Sequence, residues 1–170
     1  LKNAWGLMQE NNVVTLPCVT EEGLLEGVIT IGDITKSYMN LYDSSIISKA
    51  CTKYANILDT LEGSMVVGDS ETYFDQGKVL IAAANPDLME NYIEKHDLVI
   101  LGNRYESQLC AIEMEAGCII VCEGAGVSLT IRKLAQERGC AVITTPYDTY
   151  TTARLINQSM PISYFMKTEK

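Results

Sequence analysis

Residues 78–126 read KVLIAAANPDLMENYIEKHDLVILGNRYESQLCAIEMEAGCIIVCEGAG, and this stretch decides the fold. Short apolar runs at residues 79–83, 98–101 and 119–122 alternate with two polar segments whose apolar residues keep helical spacing. Such an order reads as parallel strands joined by crossover helices. The runs are continuously apolar, as strands covered on both faces must be. The pattern extends outward on both sides. Residues 64–67 form a preceding strand, Gly68-Asp69 a turn, and residues 140–144 a following strand. Asn85-Pro86 opens a helix as a cap followed by proline, with Leu88, Met89, Tyr92 and Ile93 as its apolar face. A second helix runs through Leu109, Ile112 and Ala116 to Gly117, and a third from the Ser128 cap to Gly139. A last helix is expected at residues 149–157, and an extended run at 159–166.

The chain before Asp59 has a different character. Residues 1–9 place Leu1, Ala4, Trp5 and Met8 on one helical face. Residues 13–19 are a strand whose Pro17 suits an edge or a bulge. Glu21-Glu22-Gly23 turns the chain into a second strand at 25–31, and Gly32-Asp33 opens a helix with Ile34, Tyr38 and Met39 on its apolar side. Ile47, Ala50, Cys51, Tyr54 and Leu58 predict one packed helix over residues 46–58, with a boundary at 59–63. The chain opens on Leu1 in mid-pattern, without a signal peptide, and is expected to be a piece of a longer protein.

Composition narrows the function classes. A length of 170 residues suits one domain or a domain with part of another. The formal net charge of −9 argues against non-specific nucleic-acid binding, which needs basic patches, but permits a nucleotide ligand. No apolar run reaches the ~20 residues of a membrane span. The six cysteines include no CxxC pair and sit mostly in apolar runs, which fits free buried thiols in a reducing cytoplasm. The lone histidine, His96, lies between Lys95 and Asp97, so a transition-metal site on this chain is not expected.

The segment VVTLPCVTEEGLLEGVITIGDITKSY, residues 13–38, resembles the latter half of a CBS domain, a nucleotide-sensing module. In that family a Thr/Ser-x-x-Asp at the strand–helix junction contacts ribose and phosphate, and the matching residues are Thr30 and Asp33. Asp33 equally suits a helix cap, and both readings stand. The first strand of the module, and any second copy of it, are not in this sequence.

ILGNRYESQLCAIEMEAGCIIVCEGAG followed by ITTPYDTYTTARLI resembles the DRTGG domain over about residues 61–162. The family's Gly-Asp-Arg loop reads Gly102-Asn103-Arg104 here, and its Thr-Gly-Gly loop reads Glu123-Gly124-Ala125-Gly126. The two modules in succession resemble the regulatory insert of clostridial-type family II inorganic pyrophosphatases. The fold implied is α/β: a DRTGG-type domain with a mainly parallel sheet flanked by helices, preceded by a partial α+β CBS module. The divisions implied are residues 1–41 (latter half of a CBS module), 42–60 (helical connector), 61–162 (DRTGG) and 163–170 (entry to a second CBS module). The resemblance also implies adenine-nucleotide partners (AMP, ADP and diadenosine polyphosphates) bound by an intact CBS pair. Inhibition by AMP, activation by diadenosine polyphosphates, homodimerisation partly through DRTGG and a cytoplasmic location go with it. It implies no cofactor on this chain, and manganese or cobalt on catalytic domains elsewhere in the parent protein. An alternative is the DRTGG dimerisation module of another multidomain protein, such as a phosphotransacetylase or a CBS-containing transcription regulator.

The residues themselves offer few reactive groups. No Ser/His/Asp or Cys/His arrangement is identifiable around the one histidine, and the acidic pairs Glu21-Glu22 and Glu113/Glu115 read as a turn and a solvated helix face. The clustered Asp and His residues of two-metal chemistry are missing from the sequence. Gly124-x-Gly126-x-Ser128, between a strand and a helix, reads as an anion cradle or as a plain turn. Arg104 ends a strand where open α/β sheets bind ligands; it reads as an anion contact or as half of an ion pair fixing its loop. Tyr105, Tyr147 and Tyr150 near these loops suit stacking on a base or packing at an interface.

Overall fold

The continuously apolar runs become the middle of one sheet. The computed structural model describes residues 1–39 and 43–166. In chain order the elements are α1 (Lys2–Asn11), β1 (Thr15–Val19), β2 (Leu25–Thr30), α2 (Ile31–Met39), α3 (Ile46–Lys49), β3 (Thr52–Lys53), α4 (Tyr54–Leu61), β4 (Ser64–Val67), β5 (Tyr73–Phe74) and β6 (Val79–Ile81). They continue with α5 (Pro86–Met89), β7 (Leu98–Leu101), α6 (Tyr105–Glu113), β8 (Cys118–Val121), α7 (Leu129–Arg138), β9 (Ala141–Thr144) and α8 (Thr149–Leu155). The side chains of Tyr38 and Met39, the division at residues 41–42 and the end of the entry segment at 167–170 lie outside the described residues.

Five strands form the main sheet in the order β4-β9-β8-β7-β6. The three pairings from β6 to β9 are parallel, each spanned by a helix, and β4 closes the other edge antiparallel to β9. Every residue of β7 and β8 is buried. Register lines Ile100, Ile120 and Ile143 into one row and Val99, Ile119 and Val142 into the row on the opposite face. The first row packs under α4 with Ile57 and Leu61; the second packs under α5–α7 with Met89, Ile112 and Ile131. Each such fully buried branched side chain contributes about 1.5–3 kcal/mol relative to exposure. The α7 sequence is mostly polar, and Ile131 and Ala135, one turn apart, are its buried residues. Ser128 caps it by accepting from Ile131 N (3.2 Å).

The N-terminal lobe is smaller. β1 and β2 pair antiparallel with a register shift at Cys18/Val19, and Pro17 sits in this short ribbon without disturbing the main sheet. Ala4, Met8, Ile29 and Ile34 form its own cluster, with Leu1 and Phe165 packed against it.

Four local expectations need correction. The helix opened by Asn85-Pro86 is a single turn that ends at Met89, before Tyr92 and Ile93, and Leu88 is exposed. Residues 46–58 are two helices rather than one. α3 stops where Cys51 adopts φ 49° and the Thr52 hydroxyl donates to Ile47 O (2.8 Å). Thr52 and Lys53 then pair with Phe74 and Tyr73, which takes the backbone off the helical path. The α6 helix ends at Glu113 rather than near Gly117: Glu115, at φ 63°, is the left-handed residue, and Ala116 N bonds to Ala111 O (3.1 Å). Gly117 serves a different need, since a Cβ there would lie 2.8 Å from His96 O. Residues 159–166 are not extended; they include the end of the 3-10 turn Ile156–Ser159 and a second 3-10 turn, Ile162–Tyr164, separated by Pro161.

Burial of the thiols sets an alkaline limit. Desolvation raises Cys118 above its ordinary value of 9.0 and pushes Cys140 up to about 12. The folded state therefore keeps protons that the unfolded chain releases above pH 9, so stability is complete below that pH and falls as pH rises towards 12. Two such groups should remove about 2–3 kcal/mol between roughly pH 8.5 and 10. Urea denaturation at stepped pH measures this slope.

Candidate functional site

Two regions gather the residues expected to bind ligand. The first is the β2–α2 junction. Thr30 ends the strand and Asp33 lies in the first turn of the helix, so the chain reversal itself brings them together. Asp33 is 4% exposed. Its Oδ2 accepts from Thr30 N (2.8 Å) and from the Thr30 hydroxyl (3.0 Å), while Asp33 N donates to Thr30 Oγ1 (3.2 Å). This reciprocal cap holds a carboxylate and a hydroxyl at the helix N-terminus, where an anion is favoured.

Beside the junction runs a groove of about 740 Å³ between the N-terminal lobe and α8. Trp5, Ile31 and Thr35 line one wall, Tyr150 and Arg154 the other. The Arg154 guanidinium stands 5.6 Å from the centre of the Tyr150 ring, one helical turn away. Asp148 caps α8 by accepting from Thr151 N (2.6 Å), and that hydrogen bond lowers its pKa. The groove thus combines aromatic faces with a cation, a composition that suits a base and a phosphate. Sequence reading reached Tyr150 but not Arg154 or the wall supplied by Trp5. The only signal for Arg154 was its spacing of four from Tyr150.

The second region is the carboxyl end of β7 and β8. Arg104 precedes α6, is exposed, and forms no ion pair among the described residues. The loop after β8 is held by backbone hydrogen bonds, two of them to the segment that follows β9. Glu123 N donates to Tyr147 O (2.7 Å), Gly124 N to Thr145 O (2.9 Å) and Ala125 N to Cys122 O (3.4 Å). Ser128 Oγ is engaged by the α7 cap. Two peptide donors of the expected cradle, Gly124 N and Ala125 N, and its one hydroxyl therefore already have partners. Tyr105 begins α6 and is exposed, and Tyr147 contributes its carbonyl to loop closure.

Neither region assembles a nucleophile with a base. His96 precedes β7, at the other end of the strands from Arg104 and Gly124. Cys122, beside the loop, has its thiol pKa raised by burial, which disfavours thiolate. Among the described residues no group of three or more His, Cys, Asp or Glu side chains can hold a metal ion. No helix among them is long and apolar enough to cross a membrane.

A parallel α/β domain carrying a small α+β lobe, with grooves but no catalytic constellation among the described residues, is the class this geometry defines. The chain belongs to the DRTGG domain family, which matches residues 56–159. It is 37% identical over 166 residues to the cobalt-dependent inorganic pyrophosphatase of Clostridium perfringens, covering 98% of this chain and 30% of that protein. It is 27% identical over 160 residues to a probable manganese-dependent inorganic pyrophosphatase of Thermotoga maritima, covering 94% of this chain and 29% of that protein. A crystal structure of the CBS and DRTGG domains of the regulatory region of the C. perfringens pyrophosphatase, complexed with the activator diadenosine tetraphosphate, superposes with a TM-score of 0.92. That match has 35% identity and covers 99% of this chain and 74% of the other. The expected α/β fold with a mainly parallel sheet flanked by helices is therefore the observed one, and the chain matches a structure of CBS and DRTGG domains. The chain spans about 30% of the length of the pyrophosphatases it matches.

Proposed function

We propose that this chain is the nucleotide-responsive regulatory region of an inorganic pyrophosphatase. Its role is to adjust pyrophosphate hydrolysis carried out by other domains of the same protein. The observation that carries this reading is the end-to-end likeness to a regulatory region bound to diadenosine tetraphosphate. Adenine nucleotides such as AMP, ADP and diadenosine polyphosphates are the ligands this reading implies. Thr30 and Asp33 are the polar contacts at the junction, with the α8 groove beside them. Arg104, Gly124, Gly126 and Ser128 are secondary anion-site candidates, of which Arg104 has the freest side chain. The relatives are cobalt- or manganese-dependent; the described residues offer no ligand set for such an ion, so we place the metal on the catalytic domains. A cytoplasmic homodimer is the assembly we infer.

We divide the chain at residues 1–41, 42–60, 61–162 and 163–170, as CBS half, connector, DRTGG domain and entry to a second CBS module. The connector's α4 packs on the sheet through Ile57 and Leu61, so ligand-driven motion of the N-terminal lobe has a direct path into the DRTGG core. A nucleotide acts in this arrangement by binding two lobe positions with different affinity.

The test is calorimetric titration of AMP and diadenosine tetraphosphate into the parent protein carrying both CBS modules. Asp33→Asn keeps the cap geometry and removes the charge. Affinity is expected to fall about tenfold, or roughly 1.4 kcal/mol. Unchanged affinity would remove Asp33 from the site, and absence of nucleotide binding by the unaltered protein would overturn the proposal.

A further inference from the structure

The amino ends of β7, β8 and β9 open on a cavity of about 690 Å³, far from the groove and the anion-site candidates. It forms because the β3–β5 arm folds across the strand ends, and Phe74, Ala141 and Tyr54 make its floor. Tyr54 is 7% exposed and packed in the sheet's core cluster. Its hydroxyl forms no hydrogen bond with the protein among the described residues. Yet no buried side-chain oxygen or nitrogen there lacks a partner, so this oxygen is one the cavity itself exposes. A phenol oxygen open to a cleft and without a protein partner is a hydrogen-bonding position that a ligand can take over from water.

The rim fixes the charge of that occupant. Asp69 and Asp75 stand there, and no lysine or arginine lines the cavity. One oxygen of Asp69 accepts from Glu71 N (2.9 Å), which holds the carboxylate in place. Asp75 is in no ion pair among the described residues. Burial, then the nearby thiols and Asp75, raise the Tyr54 pKa, and the neutral phenol can accept a hydrogen bond as well as donate one. Lys53 lies near Asp69 but is paired with Glu71 and is outside the lining, so the two carboxylates leave the cavity with an excess of negative charge that disfavours nucleotides and pyrophosphate alike. A matching ligand donates N–H to the phenol oxygen, carries positive charge to the rim, and lays methylene groups on the apolar floor.

We propose that this cavity binds a small aliphatic di- or polyamine, held by the Tyr54 hydroxyl on its floor and by Asp69 and Asp75 at its rim. The proposal is independent of the nucleotide reading.

Calorimetric titration of putrescine and spermidine into this chain at about 150 mM salt, where loose surface charge pairing is largely screened, tests it. One saturable site per chain is expected. Tyr54→Phe, which removes one oxygen and keeps the ring, and Asp75→Asn should each weaken it about tenfold. The double variant Glu21→Gln/Glu22→Gln removes two charges from the N-terminal lobe and should change affinity less than about twofold. No saturable binding of either amine overturns the proposal. So does equal binding by Tyr54→Phe or Asp75→Asn, which would mean counter-ion association with a chain of net charge −9. Thermal midpoints confirm that each variant is folded; should Tyr54→Phe unfold, the exposed Asp75→Asn decides alone.

Discussion

Asp97→Ala is expected to destabilise the protein by about 3–4 kcal/mol, a large share of a domain's total stability. Asp97 is 1% exposed. Its Oδ1 accepts from Lys78 N (3.0 Å), and its Oδ2 accepts from Glu94 N (2.8 Å) and Lys78 Nζ (2.7 Å). One carboxylate thus joins the start of β6, the loop before β7 and a lysine. Alanine would leave two peptide donors without acceptors in a partly buried corner and strip the ammonium of its closer partner. Glu94, at 3.6 Å from the Lys78 ammonium and largely exposed, does not replace it. Lys78→Met should cost less, about 1–2 kcal/mol, because the carboxylate keeps both peptide donors. Urea midpoints with an unchanged denaturant slope measure both; equal losses would show that the ammonium, not the peptide network, is what matters.

Gly77→Ala should be comparably damaging, at about 3 kcal/mol or more, through sterics alone. Gly77 sits at φ 95°, and a Cβ there would lie 2.5 Å from His96 O, 2.7 Å from His96 C and 2.9 Å from Asp97 N. All three are backbone atoms at the crossing that Asp97 ties together, so none can rotate aside. A positive φ adds roughly 1–2 kcal/mol for any L side chain, and the clash adds the cost of moving a packed backbone. Gly102→Ala is the control: no atom lies within 4 Å of its Cβ position, and the change is expected to stay within about 0.5 kcal/mol. A Gly77→Ala thermal midpoint equal to that of Gly102→Ala would contradict the crossing geometry.

The parallel core was legible in sequence because burial on both faces leaves a local trace. β7 and β8 read as unbroken apolar runs, and the caps at Asn85 and Ser128 were each visible as a polar residue before a helix. Contacts between distant segments left no such trace. The apolar spacing of residues 46–58 stays helical across Cys51, and only pairing with Tyr73 and Phe74 shows where the helix breaks. That β4 runs antiparallel is likewise a property of its partner, not of its four residues. At the candidate site, Thr30 and Asp33 were found because their spacing is a local motif. Arg154 and the Trp5 wall were missed because the groove exists only once the two lobes meet. The glycine-rich loop shows the reverse: its spacing suggests a cradle, but Tyr147 O and Thr145 O, about twenty residues on, accept from its peptide groups.

Regulation of hydrolysis by the parent protein tests the central claim most directly. Pyrophosphate hydrolysis is measured with and without AMP and diadenosine tetraphosphate, in the intact enzyme and in one where this region is replaced by a short linker. We predict that the nucleotides change the intact enzyme's rate severalfold, and that the shortened enzyme still hydrolyses pyrophosphate but ignores them. An identical nucleotide response in both, or none in the intact enzyme, would contradict the account.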